Sequence, residues 1–437
     1  MAEAGGFMPD ETIALRYMTR FRCIAERCED TCCGGLKVSV SEEHLGRMRR
    51  AAEGKPEEAE RLERGLELHP EGPPDARAFT RKRLDGLCAF LDAERLCSVQ
   101  RRYGEAAIPD VCASFPRVIQ SRGGRLEVSG SMACPEVARL CLLAEDAVQP
   151  VVAAADLVPR PASLPPPVAP THAGQACAEA LRQAALRLLD RRELSLSSWL
   201  VMLGRMALVL DSLATEAAEE ALRLDLSEVL RRFETPEALE ALHRDVSALA
   251  LPGGPSLGVY GSMLRARLGG GGTERFTALL SGVLESLGLG GEEPERLEPA
   301  WRTYVARQER LEATHGARVR QYFHNYCLNA LWRTPFLETP GTLLADVFRL
   351  ALRLGLLRVV LVGHPRVAAL CASEALGTAE AQAALDEAVV EGFQLSVKYL
   401  AHGPLFVELA GALAGRGGVE TLNRTRVWAS LLQAGTT

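Results

Sequence analysis

From residue 173 onward, apolar positions recur at three- and four-residue spacing. They do so over 173–191, 195–214, 215–232, 236–250, 273–288, 295–333, 340–356, 377–402 and 404–415. That is the period of helices that bury one stripe, so the pattern predicts an all-helical body. Leu357–Val362 is apolar throughout and short enough for a strand, but it is read as buried helix. The first third of the chain is patterned differently. Residues 12–22 alternate only in part and read as extended chain or loop. Leu36-Lys37-Val38-Ser39-Val40 alternates cleanly, and Arg125–Ser129 follows the Gly123-Gly124 turn signal, so both predict short strands. Ser41 before Glu42 and Glu43 predicts a helix N-cap. Residues 51–69 predict a solvated helix that His69-Pro70 ends. Residues 86–92 and 96–99 predict short strands or turns, and 99–107 a helix. Cys134-Pro135-Glu136 predicts a helix start, with proline in the first turn and Glu136 complementing the dipole.

Between these halves, residues 150–170 hold seven prolines, including Pro165-Pro166-Pro167. Such a composition predicts a semi-rigid extended linker. The expected fold class is therefore mainly α: a small irregular α+β cysteine-rich domain over 1–149, a proline-rich linker over 150–172 and an all-helical domain over 173–437. Gly269–Gly272 reads as a flexible turn, since no strand precedes it to build a phosphate cradle. No βαβ unit with a glycine-rich turn is present, which argues against an ordinary Rossmann nucleotide fold.

Composition changes the picture only where it is uneven. At 47% hydrophobic and 24% charged residues the chain has the make-up of a globular protein. A formal net charge of −6 gives no footprint for nucleic acid and suits a basic, lysine-bearing partner. No window of 18 uncharged apolar residues occurs, so no membrane span is expected. The start of the chain is acidic and lacks an apolar h-region, so the expected location is the cytoplasm.

Cysteine is the uneven residue. Nine of the twelve lie in the first 141 positions. Cys23, Cys28, Cys32 and Cys33 fall within eleven residues, and Cys88, Cys97, Cys112 and Cys134 follow. In a reducing compartment, clustered thiols point to metal before disulfides. Soft thiolates select zinc, copper(I) or iron–sulfur clusters, and the spacings of Cys23, Cys28 and Cys32 let a loop present two sulfurs to one centre. Adjacent Cys32 and Cys33 need a turn to serve one centre, which Gly34 and Gly35 can supply; otherwise they serve two. Eight thiolates match two four-thiolate sites, a cluster plus a zinc, or one cluster with spare cysteines. A disulfide framework and metal-free redox thiols are the other readings. Cys141, Cys177, Cys327 and Cys371 sit in apolar helical patterns and read as core thiols.

The region resembles the cysteine motif of the flagellin lysine-N-methylases, within the wider group of CxxCxxCC-type zinc- or iron-chelating proteins. The resemblance rests on Phe21-x-Cys23-Ile24 through Cys28-Glu29-Asp30-x-Cys32-Cys33, and on Gly86-x-Cys88-x-Phe90-Leu91. It continues through Leu96-Cys97-Ser98-Val99, Cys112-x-x-Phe115-Pro116-Arg117 and Ser131-x-x-Cys134-Pro135-Glu136. In the distal half it is thinner: Tyr322-Phe323-x-Asn325-Tyr326-x-x-Asn329 through Pro335, and Tyr399-Leu400-x-His402. Leu36 stands where the family often has tryptophan.

The resemblance implies methylation of lysine side chains on a flagellin-like protein, with S-adenosylmethionine as donor and a cysteine-bound iron–sulfur cluster, 4Fe-4S in type, with zinc as the alternative. The eight cysteines from Cys23 to Cys134 are then the metal candidates. Tyr322 and Tyr326, at i and i+4 on one helix with Asn325 and Asn329, make a candidate pocket wall. Tyr322, Asn325 and Tyr326 are the catalytic candidates. Asp30, Arg117, Glu136 and Asn329 are the cofactor-binding candidates, although Asp30 also suits a local backbone cap and Arg117 a loop carbonyl. His402, before Gly403-Pro404, reads as a helix-end cap.

Overall fold

The computed structural model describes residues 11–35, 38–122, 124–160, 172–191, 194–247, 253–270, 272–291, 293–333, 336, 341–400 and 404–415. The chain divides into two compact units. One comprises Met1–Leu140, Gln149–Pro167 and Gly272–Glu274; the other comprises Cys141–Val148, Val168–Gly271 and Arg275–Thr437. The expected linker over 150–172 is thus partly absorbed by the first unit, and 161–171 lie outside the described residues.

The first unit is α+β. In chain order its elements are β1 (Thr12–Leu15), α1 (Arg16–Arg20), β2 (Ser39–Val40), α2 (Glu42–Ala51), α3 (Pro56–Arg64), β3 (Leu66–Leu68), β4 (Ala78–Thr80), α4 (Ser98–Tyr103), α5 (Asp110–Ser114), β5 (Arg117–Arg122), β6 (Arg125–Gly130), α6 (Pro135–Leu143) and β7 (Pro150–Val152). The division between units falls in the last turn of α6.

β5-β6-β1-β7 form one sheet, with β1 and β6 parallel and the other pairs antiparallel. Pro150 can end an edge strand because its missing N–H faces no neighbour; Pro150–Val152 pairs with β1, which is why the proline-rich stretch starts as sheet rather than linker. The second sheet is β2-β4-β3, antiparallel. Ser41 caps α2 by accepting the His44 N–H at 3.2 Å, as its position predicts. The expected helix over 51–69 is broken instead: Gly54 takes φ of 73°, Pro56 restarts the helix at α3, and Leu66–Leu68 pairs with β4. A core of Val40, Leu45, Met48, Leu62, Leu66 and Phe90 fills this half of the unit, and it includes buried Cys88.

Among its described residues the second unit is helical: α7 (Ala173–Leu189), α8 (Leu196–Glu216), α9 (Ala218–Ala221), α10 (Leu226–Arg231), α11 (Pro236–Ser247), α12 (Gly253–Leu268), α13 (Glu274–Leu287), α14 (Leu297–Arg333), α15 (Leu343–Gly363), α16 (Pro365–Ala372), α17 (Ala379–Tyr399) and α18 (Pro404–Ala414). α15 is its axis. It is mostly apolar, is buried on nearly every side, and packs against α8, α14, α17 and α18, which is the environment such a helix requires. Its first N–H groups, at Leu343 and Leu344, donate to the Asp211 carboxylate at 2.8 and 3.0 Å, a cap supplied from α8. Buried Arg358 within α15 is met by Glu312 at 2.6 Å and lies over the Phe323 ring. α8 is long and apolar enough to cross a membrane by composition alone, but 61% of its most apolar window is buried inside the protein.

Candidate functional site

The first unit draws the eight upstream cysteines into two neighbourhoods. Backbone pairing makes the first. The Cys88 N–H donates to the Cys33 carbonyl at 2.8 Å, and Gly34 bridges Leu87 in antiparallel fashion. The Lys82 ammonium donates to the same Cys33 carbonyl at 3.2 Å. A tight turn, with the Asp92 carboxylate accepting the Leu96 N–H at 2.9 Å, brings Leu91 back onto Cys97. Cys112, on α5, lies within electrostatic reach of Cys33, Cys88 and Cys97. A turn from Thr31, closed by the Gly34 N–H donating to the Thr31 carbonyl at 3.1 Å, places the Cys32 and Cys33 thiols against each other. The vicinal pair therefore faces one way.

The second neighbourhood is Cys23, Cys28 and Cys134. Cys23 and Cys28 flank a single 3₁₀ turn, Ala25–Arg27. The Cys28 thiol donates to the Asp30 carbonyl at 3.4 Å. Cys134 sits just before α6, and Arg139 of that helix reaches Glu29 at 2.5 Å while also pairing with Glu136. This ion-pair bridge fastens α6 to the Cys28 loop.

All twelve cysteines are free. Among the described residues, no group of three Cys, His, Asp or Glu side chains is placed to hold a metal ion as it stands. The donor chemistry nonetheless fits a soft cation. Burial pushes the Cys112 and Cys134 thiols up to about 12, and neighbouring thiols add to the rise. Cys33 is pushed up by its contact with Cys32 and then by burial, while burial leads at Cys28, Cys88 and Cys97. Thiols gathered where their anions repel need a cation before they can ionise.

The remaining candidates divide between the units. Asp30 is buried and Glu136 is paired with Arg139, both in the first unit. Arg117 opens β5 in the same unit. Tyr322, Asn325, Tyr326 and Asn329 are all buried on α14 of the second unit. There the Tyr322 hydroxyl donates to the Asp386 carboxylate, which Arg318 clamps with two bonds at 3.0 and 2.8 Å. Burial first, and then Asp386, push the Tyr322 phenol well above its ordinary value. The Asn325 amide donates to the Cys141 and Ala144 carbonyls at 2.8 and 3.1 Å, closing the end of α6. Arg318 and Gln321 take the Leu143 carbonyl in the same way. Tyr326 packs edge-on against Phe393, with ring centroids 5.7 Å apart. His402 lies outside the described residues. The Arg318–Asp386 clamp was missed in the sequence; its one local signal is Arg318 standing four residues before Tyr322, over whose ring it lies.

These features define a protein with a thiol-rich α+β unit and a separate helical unit. The profile of the FliB lysine N-methylase C-terminal domain matches residues 182–423, and the chain belongs to that family. Among its relatives, the lysine-N-methylase of Salmonella typhimurium strain LT2 is 30% identical over 132 residues, which is 30% of this chain and 32% of that protein. The flagellar biosynthetic protein FliU of Salmonella muenchen is 27% identical over 132 residues, 30% of this chain and 77% of FliU. The lysine-N-methylase of Salmonella choleraesuis is 29% identical over 136 residues, again 32% of its length. The alignments with both lysine-N-methylases thus span about a third of each relative. No solved structure matches the chain.

Proposed function

We propose that this protein transfers a methyl group from S-adenosylmethionine to lysine amines of a flagellin-like protein in the cytoplasm, with a thiolate-bound iron–sulfur cluster in its first unit. The observation that carries this reading is the family match across 182–423, which spans most of the helical unit. The lysine-N-methylase names of its relatives supply the reaction class. N-methylation needs a neutral amine aligned with an activated methyl, and positioning supplies much of the rate. A desolvated or cationic setting lowers the lysine pKa and frees that amine.

In this reading Cys32, Cys33, Cys88, Cys97 and Cys112 hold one centre, and Cys23, Cys28 and Cys134 contribute to another. Zinc is the alternative occupant of either. When bound, the metal supplies positive charge that keeps the thiolates ionised and ties together loops distant in sequence. Asp30, Glu136 and Arg139 position the Cys28 loop and the start of α6. The polar groups of Tyr322 and Asn325 already have partners, so in this reading they hold α14 in place. That observation also favours a second reading, a metal-binding protein whose helical unit only docks partners.

The test is to purify the chain without oxygen, measure iron, sulfide and zinc, and incubate it with S-adenosylmethionine and flagellin. Lysines gaining the mass of a methyl group are expected. A colourless, zinc-only protein would sink the cluster, and unmodified flagellin together with no donor binding by calorimetry would leave the docking reading.

A further inference from the structure

Arg117 stands apart from the other arginines of the first unit. It is half-buried, its Nε is shut off from water with no hydrogen-bond partner, and among the described residues its guanidinium makes no hydrogen bond or ion pair. A buried N–H without a partner is costly, and one aromatic face does not satisfy the Arg117 Nε. That face is Phe21, whose ring centroid lies 5.4 Å below the guanidinium carbon. The stack is the expected support for a planar cation, and it leaves the fork of N–H donors pointing edgewise.

The backbone fixes where this fork sits. Arg117 pairs with Gly130 at the end of β6. A side chain at Gly130 would strike the Met18 sulfur at 2.7 Å and the Tyr17 hydroxyl at 2.9 Å, so the strand end is held closely against α1. The Ser131 N–H donates to the Pro116 carbonyl at 2.7 Å, and the Cys134 N–H to the Ser131 carbonyl at 3.1 Å. Phe21 is two residues before Cys23. The titratable groups that bear on Arg117 include Glu105, Arg22, Asp156 and Cys23. Neither carboxylate closes to an ion pair with it, and Arg22 adds positive potential from the α1 side.

We propose that Arg117, stacked on Phe21 and flanked by Arg22, binds the carboxylate of an α-aminocarboxylate ligand, the amino-acid end of S-adenosylmethionine, next to Cys23 and Cys134. A planar fork matches a carboxylate with two parallel charged hydrogen bonds, which an ammonium would not do. The inference rests on the donor assigned under the proposed function.

The test compares equilibrium binding of S-adenosylmethionine with binding of its decarboxylated analogue, using anaerobically purified full-length protein. Wild type is expected to prefer the carboxylate-bearing ligand by about ten- to a hundredfold, the range for a charged hydrogen-bonded pair. Arg117→Gln is expected to lose that preference while binding the analogue as wild type does, and Arg117→Lys to fall between. Thermal melts establish that each variant is folded; if Arg117→Gln is not, Arg117→Lys decides. A folded variant that keeps the full preference overturns the proposal, as does a wild type that binds both ligands equally. A wild type that binds neither ligand overturns the donor assignment as well, so the two failures are distinguishable.

Discussion

The backbone N–H of Cys88 donates to the carbonyl of Cys33 at 2.8 Å. That single bond joins two cysteine segments far apart in sequence, and with the Gly34–Leu87 bridge it sets which thiols become neighbours. Replacing Cys88 or Cys112 with serine is therefore expected to remove the metal of one proposed centre. Replacing Cys28 or Cys134 is expected to affect the other. A double replacement within one neighbourhood should lose no more metal than a single, whereas a cross-neighbourhood double should lose both shares. Iron, sulfide and zinc content read this directly. Equal and total loss from every single replacement would mean one shared centre.

Asn325 closes the end of α6 from within a buried site. Asn325→Ala leaves the Cys141 and Ala144 carbonyls without that donor and is expected to lower stability by about 1–3 kcal/mol. Urea unfolding measures the change. Tyr322→Phe removes one hydrogen bond to Asp386 and is expected to cost about 1 kcal/mol with the proposed methylation nearly unchanged. A hundredfold loss of turnover in a folded Tyr322→Phe protein would instead place the hydroxyl in the reaction.

Glu391 is held down to about 2, first by its hydrogen bond with His364 and further by Arg275 at 2.9 Å. A depressed carboxylate stabilises the fold above its unfolded value, and that contribution disappears as pH falls through 4.5 toward about 2. Glu391→Gln should lower stability at neutral pH by up to about 3 kcal/mol and flatten this acid limb. Melting curves from pH 7 to acid, for both proteins, show whether it does.

α15 and α12 approach closely at Gly355, where a methyl group would overlap the Tyr260 hydroxyl. Gly355→Ala gains helix propensity but must displace a fully buried tyrosine, so a net loss of about 1–3 kcal/mol is expected. Unchanged stability by chemical denaturation would mean that the tyrosine moves freely.

Much of this architecture is readable along the chain because helices and caps are local. Ser41, the start of α6 and the long helices α7, α8, α13, α14 and α17 all fall where period and capping put them. Leu357–Val362 is helix, the end of α15. Two helices escape the pattern. α12 begins Gly-Gly-Pro and has no clean apolar stripe, and α16 is a short segment restarted by Pro365. The expected helix over 215–232 splits because Asp225 caps a new start, accepting the Ser227 and Glu228 N–H groups.

The sequence by itself determined a helical body, a thiol-rich α+β region before it and eight soft donors in that region. These follow from period, composition and residue chemistry, which need no partner. Only the tertiary structure decided that Cys32 and Cys33 face the same way, that Cys134 groups with Cys23 and Cys28, that Tyr322 and Asn325 already have partners and that the buried Arg117 Nε has no hydrogen-bond partner among the described residues. Whether a buried polar group is paired depends on what distant segments bring to it, and such long-range pairing leaves no local mark on the chain.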